Sequence, residues 1–138
     1  MSGVELRQAL AAFVGDDKYR KFVQQGIRRG RMRYWQEQVW SQFTSEHPEF
    51  AVTTDELVAV LRVCHLHGDE LRPDTVEVIH GHVDWAKWYT DALVRLFPNA
   101  AEDVVSTEGR PFESDRIEVW YCQSCREARA AWQSRRGR

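Results

Sequence analysis

The stretch that decides the fold lies at residues 116–132 and reads RIEVWYCQSCREARAAW. Its first six residues alternate in character and include β-branched side chains, which predicts a strand over 116–121. The residues after the second cysteine predict a closing helix that Trp132 anchors. Cys122 and Cys125 therefore form a Cys-x-x-Cys turn at the point where a strand gives way to a helix.

A second pair of candidate ligands lies earlier, in the sequence CHLHG at residues 64–68. Cys64 and His67 are separated by two residues, as Cys122 and Cys125 are, and a gap of this length lets one tight turn aim both side chains at one point. Three thiolates and one imidazole complete the tetrahedral coordination of a structural zinc ion. We therefore predict one structural Zn²⁺ held by these four residues, with no coordination position left open for catalysis.

Other histidines have competing interpretations at this site. His65 is the main alternative to His67 as the fourth ligand, although its shorter gap from Cys64 favours His67. A tetrahedral ion takes no fifth ligand, so His65, His80 and His82 are candidates for hydrogen bonds to the ligands instead. Gly68 is expected to adopt a positive φ, which the turn after the second ligand often needs.

Most of the remaining chain shows helical periodicity. Gly26 and Gly30 interrupt the longest pattern, which leaves open whether it breaks near 26–30 or continues as one closely packed helix. Thr53 and Glu56 form a capping box, which marks a helix start. Helices are predicted at 4–14, 17–45, 54–62 and 84–97, a strand at 75–80 and a long loop at 98–115.

These elements predict an α+β fold that is mostly helical, with a short two-stranded element beside the zinc knuckles. We expect residues 1–138 to form a single domain. It consists of a helical N-terminal region at 1–62 and a zinc-stapled α+β region at 63–138.

Composition narrows the class of protein. The chain has 138 residues, of which 43% are hydrophobic and 29% are charged, a balance typical of globular domains. The sequence contains no run of about 18 apolar residues, which a membrane-spanning helix would need. Its first residues lack the pattern of a secretory signal. Three cysteines are too few, and an odd number, for a disulfide framework. We therefore expect a cytoplasmic protein.

Charge is distributed unevenly along the chain. The net charge is −2, but residues 1–44 carry +4, residues 45–115 carry −10 and residues 116–138 carry +4. The first of these segments contains a compact basic stretch, which could contact the phosphates of a nucleic acid. Its four arginines are Arg28, Arg29, Arg31 and Arg33.

The sequence shows no hydrolase triad, no phosphate-binding loop and no His-Glu-x-x-His motif. We therefore expect a non-catalytic module that binds another protein, for example as an immunity or antitoxin-like partner. A nucleic-acid-binding zinc protein is the alternative. A thiol oxidoreductase is the second alternative, because a strand, a Cys-x-x-Cys and a helix follow one another at 116–132. The oligomeric state stays open.

Four short stretches within residues 56–132 resemble, in their order, a group of small uncharacterised bacterial proteins. The paired knuckles are also similar to a zinc ribbon with a large insertion. This resemblance implies a zinc-binding site, and no activity comes with it. The stretches are Cys64-x-x-His67-Gly68, Ile79-His80-Gly81, Leu96-Phe97-Pro98 and Trp120-Tyr121-Cys122-x-x-Cys125.

Overall fold

The computed structural model describes residues 2–80, 86–106 and 115–136, without the side chains of His80, Val105, Ser106 and Arg136. The chain divides into two compact units, Met1–His65 and Leu66–Arg138. This division lies close to position 62/63, where the sequence predicts a change from the helical to the α+β region. That 1–138 acts as a single domain stays a prediction.

Helices build the first unit, and a short 3₁₀ helix at Pro48–Phe50 joins the last two of them. Gly15 separates the first two helices with a φ of 91°, a value that favours glycine. The helix that follows it opens on two aspartates, whose charge suits the positive end of a helix. The helices are α1 (Gly3–Val14), α2 (Asp16–Gln25), α3 (Tyr34–Glu46) and α4 (Thr54–Val60).

The long helical pattern at 17–45 is broken, which decides between the two interpretations left open by the sequence. Helix α2 ends at Gln25, where Gly26 takes a φ of 64° and donates its N–H to the Phe22 carbonyl at 3.0 Å. Helix α3 begins only at Tyr34. Residues 26–33 therefore form a connection between two helices.

The capping box at the start of α4 is present as predicted. The Glu56 N–H donates to Thr53 Oγ1 at 3.2 Å, and the Thr53 N–H donates to Glu56 Oε1 at 3.4 Å. These two bonds satisfy backbone donors that the first turn of a helix leaves without partners.

The core of the first unit is formed by apolar residues from all four helices and the residue after α4. Phe13 packs edge-on against Phe43 with a ring separation of 5.4 Å, and Trp35 packs edge-on against Phe22 at 5.6 Å. The buried residues of this core are Leu6, Leu10, Phe22, Phe43, Leu57 and Leu61.

The second unit is an α+β arrangement, which confirms the predicted fold class. Its sheet has three strands in the order β2-β1-β3, so the prediction of a two-stranded element is wrong. The elements are β1 (Arg72–His80), α5 (Lys87–Leu96), β2 (Asp103–Ser106), β3 (Arg116–Tyr121) and α6 (Gln123–Arg136).

Strand β2 was missed because it has only four residues and lies inside an acidic, loop-like stretch. It runs parallel to β1, with Val78 opposite Val104, whereas β3 runs antiparallel, with Thr75 opposite Glu118. Strand β1 begins before the predicted position 75 and includes Pro73. A strand tolerates proline at positions where only one side of the strand is paired with a neighbouring strand. Pro73 pairs with Trp120 of β3, and β2 pairs only with the later residues of β1.

Aromatic rings from α5, from the residue that follows α5 and from α6 pack together. Trp132 lies 5.6 Å from Phe97 and 5.6 Å from Tyr89, measured between ring centres, so it anchors the closing helix as predicted. Trp88 also contacts Trp132, at 5.3 Å, but remains 52% exposed.

Candidate metal centre

The structure brings together the four residues that the sequence predicts as metal ligands. Their ligand atoms, three Sγ atoms and one imidazole nitrogen, all lie within 4.8 Å of one another. The three cysteines are buried, and the histidine is exposed. The group consists of Cys64, His67, Cys122 and Cys125.

The first knuckle is a tight turn that ends on Gly68. This glycine has a φ of 79°, as expected for the residue after the second ligand, and a side chain there would be strained. His67 is the histidine of this turn that joins the group, while His65 is half-buried and is not part of it.

The second knuckle lies at the start of α6 and is held by backbone hydrogen bonds. The Cys125 N–H donates to Cys122 Sγ at 3.4 Å, and the Cys122 N–H donates to the Asn99 carbonyl at 2.8 Å. The Arg126 N–H donates to the Cys122 carbonyl at 3.1 Å, which begins the helix. A helix N-terminus favours negative charge, so this position suits two thiolates.

The distances between the donor atoms fit a tetrahedral ion. His67 Nδ1 lies 3.3 Å from Cys125 Sγ and 3.7 Å from Cys122 Sγ. With Zn–S near 2.3 Å and Zn–N near 2.0 Å, a tetrahedron separates sulfur from nitrogen by about 3.5 Å. The two observed distances lie on either side of this value, and no disulfide joins the cysteines. The donor set could therefore hold one metal ion in a closed coordination shell.

A carboxylate that the sequence analysis did not single out lies beside the second knuckle. Asp69 Oδ2 accepts a short hydrogen bond from the Ser124 hydroxyl and lies 3.7 Å from Cys122 Sγ. The hydrogen bond from Ser124 holds the pKa of the Asp69 carboxyl below its usual value. Ser124 is one of the two residues between the cysteines, so this bond fixes the knuckle from outside the donor set.

The loop after α5 also contacts the site. The Asn99 N–H donates to Cys125 Sγ at 3.4 Å, a bond typical of sulfur atoms that coordinate metals. Arg126 holds this loop in place, because its Nε donates to the Ala100 carbonyl at 2.7 Å and its Nη2 donates to the Ala101 carbonyl at 2.9 Å. The sequence offered no short-range signal for either contact.

The guanidinium of Arg126 has two further partners. Its Nη1 lies 2.8 Å from Asp74 Oδ2 on β1, and its Cζ lies 3.6 Å from the centre of the Tyr121 ring. The hydrogen bond from Arg126 holds the pKa of the Asp74 carboxyl below its usual value. One arginine thus connects the sheet, the loop after α5 and the helix that carries two of the candidate ligands.

The side chains of two histidines predicted to support the ligands lie outside the described part of the chain. The backbone of His80 ends β1 and pairs with Ser106, but its side chain is not described. His82 lies outside the described residues. Their role in hydrogen bonding to the ligands stays a prediction.

The four arginines predicted as nucleic-acid contacts lie in the first unit, in and beside the connection between α2 and α3. All of them are exposed, and none belongs to the metal-binding group. They are Arg28, Arg29, Arg31 and Arg33.

No protein-family model, no curated protein and no solved structure matches this chain. The resemblance to small bacterial proteins and to zinc ribbons therefore stays a prediction. Among the helices that the structure describes, none combines the length and the hydrophobicity needed to cross a bilayer.

Proposed function

We propose that this is a small, non-catalytic zinc-binding protein that binds another protein in the cytoplasm. The observation that carries the zinc assignment is the convergence of three thiols and one imidazole nitrogen within 4.8 Å. This donor set matches structural zinc sites, in which four protein ligands fill the coordination shell. Because no position is left for water or substrate, the ion would stabilise the fold and take no part in hydrolysis.

Burial of the thiols argues against the oxidoreductase alternative. Cys122 and Cys125 are both 0% exposed, whereas a redox-active Cys-x-x-Cys presents its first sulfur to solvent and substrate. Both thiols also lie close to His67 Nδ1, as expected for ligands of one ion.

Metal analysis of the purified full-length chain tests the zinc assignment. We expect about one zinc ion per chain, and Co²⁺ in its place should show the visible absorption of a tetrahedral thiolate complex. Replacement of Cys122 by serine should abolish both signals. A metal-free protein whose Cys122 reacts rapidly with iodoacetamide would instead support the oxidoreductase.

Exposed apolar side chains of the second unit support the protein-binding part of the proposal. Trp88 is 52% exposed, Val94 63% and Trp120 38%. Large exposed apolar residues, tryptophan above all, are common at protein interfaces.

Affinity capture from a nuclease-treated lysate tests whether the protein binds another protein. The folded wild-type protein should retain a specific protein, and Trp120→Thr should lose it without losing zinc. Arg95→Gln, which changes an exposed residue of α5, is the matched control and should retain the partner. If Trp120→Thr captures the partner as well as the wild type does, Trp120 is not part of the protein-binding surface.

A further inference from the structure

We propose that the connection between α2 and α3 is a binding surface for single-stranded nucleic acid. Its arginines would contact phosphates, and the ring of Tyr34 would stack on a base. All residues of this surface belong to the first unit, and the proposal does not rest on the metal centre.

The charge of this connection is unbalanced. Residues 26–34 contain four arginines and no acidic residue. Among the residues that the structure describes, none of the four guanidinium groups forms an ion pair with a carboxylate. Four exposed cations on so short a segment repel one another, so an anionic polymer that neutralises them binds favourably and releases its counterions.

A tight turn presents these arginines in a fixed arrangement. The Arg31 N–H donates to the Arg28 carbonyl at 3.0 Å, which closes a four-residue turn. The two central residues both have positive φ, 55° at Arg29 and 71° at Gly30. Consecutive positive φ values are typical of a type I′ turn, and arginine rarely adopts such a conformation.

A buried glutamine fixes both ends of the connection. The side chain of Gln36 is 0% exposed. Its Nε2 donates to the Gly26 carbonyl at 3.0 Å and to the Phe22 carbonyl at 3.3 Å, at the end of α2. Its Oε1 accepts from the Arg33 N–H at 2.8 Å, at the start of α3. The segment is therefore held in place before any ligand binds, which reduces the entropy lost on binding.

An exposed aromatic ring adjoins the arginines and favours single strands. Tyr34 follows Arg33 directly and is 74% exposed, and Gln38 Nε2 donates to its hydroxyl at 2.6 Å. Trp35, by contrast, packs on Phe22 and is half-buried. Unpaired bases stack on exposed aromatic rings, so this ring beside the arginines favours a single strand over a duplex, whose bases are already stacked.

Fluorescence anisotropy with a short, labelled oligothymidylate tests the proposal on the full-length protein. Each phosphate contact to a single strand contributes about −0.7 to the slope of log K against log salt, so four contacts give about −3. Arg28→Gln with Arg31→Gln should reduce the slope to about half of this value. The matched pair Arg20→Gln with Arg95→Gln removes the same charge from other exposed positions and should retain the slope.

Substitutions of Tyr34 provide a second test of the proposal in the same anisotropy experiment. Tyr34→Ala should weaken binding about tenfold, and Tyr34→Phe should restore it, because only the ring is needed for stacking. Both changes affect an exposed side chain and should leave the thermal unfolding temperature unchanged.

Four results would overturn the proposal. The first is no binding at low salt, and the second is equal loss of binding in the matched control pair. The third is wild-type affinity in Tyr34→Ala. The fourth is equally tight binding of polyglutamate, which would show a surface for any polyanion.

Discussion

The Nδ1 atom of His67 lies 3.3 Å from the Sγ atom of Cys125, although the two residues are 58 positions apart in the sequence. This distance is close to the sulfur–nitrogen separation across a tetrahedral zinc ion, about 3.5 Å. A metal could therefore enter between the two atoms with little rearrangement. The exposure of His67 places its side of the group next to solvent, where an ion can arrive.

His67→Ala should lower zinc affinity by at least about a hundredfold, since loss of even an outer hydrogen-bonding partner costs up to this much. His65→Ala is the matched control and should cost less affinity than His67→Ala, because His65 is outside the group and could support it only through a hydrogen bond. Competition with a chromophoric chelator measures both. If the two variants lose zinc equally, the assignment of His67 as the ligand is wrong.

Ser124→Ala should weaken zinc binding about tenfold. The serine hydroxyl donates to Asp69 Oδ2, which lies 3.7 Å from Cys122 Sγ. Without this donor, the carboxylate is left close to the sulfur and disfavours the thiolate that the metal needs.

Ser124→Thr keeps the hydroxyl and should keep most of the affinity in the same chelator competition. An alanine variant that binds zinc as tightly as the wild type would show that Asp69 and Ser124 do not support the site.

The candidate ligands could be predicted from the sequence because each knuckle is a local pattern. Cys64 with His67, and Cys122 with Cys125, need only a two-residue gap and a turn. The contact between Asp69 and Ser124 joins residues 55 positions apart, so no local pattern indicates it.

The same reasoning explains what was missed in the fold. Helix starts with a capping box and strands with alternating residues carry their signal within a few positions. Strand β2 has four residues and gains its hydrogen bonds only by lying parallel to β1, a partner more than 20 positions earlier. Arg126 likewise reaches Asp74 across 52 positions.

Gly68→Ala should destabilise the protein by about 1–2 kcal/mol, the strain of an alanine held in the left-handed region. The positive φ of 79° is the cause, because a Cβ atom would meet nothing within 4 Å. Gly3→Ala is the control: its φ is not positive and a Cβ atom there has only ordinary contacts. Urea unfolding measures both, and equal losses would show that the turn conformation is not the cause.

Asp74→Asn should make the free energy of unfolding less sensitive to acid. The hydrogen bond from Arg126 lowers the pKa of Asp74 in the folded state. A carboxyl with a lowered folded pKa contributes stability above its unfolded pKa, near 3.9. It loses this contribution as the pH falls from that value toward the folded pKa.

The expected result is therefore a difference in the free energy of unfolding between wild type and Asp74→Asn that is full at neutral pH and shrinks below about pH 4. Loss of a bound metal in acid would lower the free energy of unfolding of both proteins, so it would not change the difference between them. Asp91→Asn, which removes a carboxylate from an exposed pair with Lys87, controls for the change in net charge. Urea unfolding at a series of pH values provides the measurement. A difference that stays constant into acid would mean that Asp74 stabilises the fold without its charge, and the ion pair with Arg126 would then not be what holds this part of the sheet.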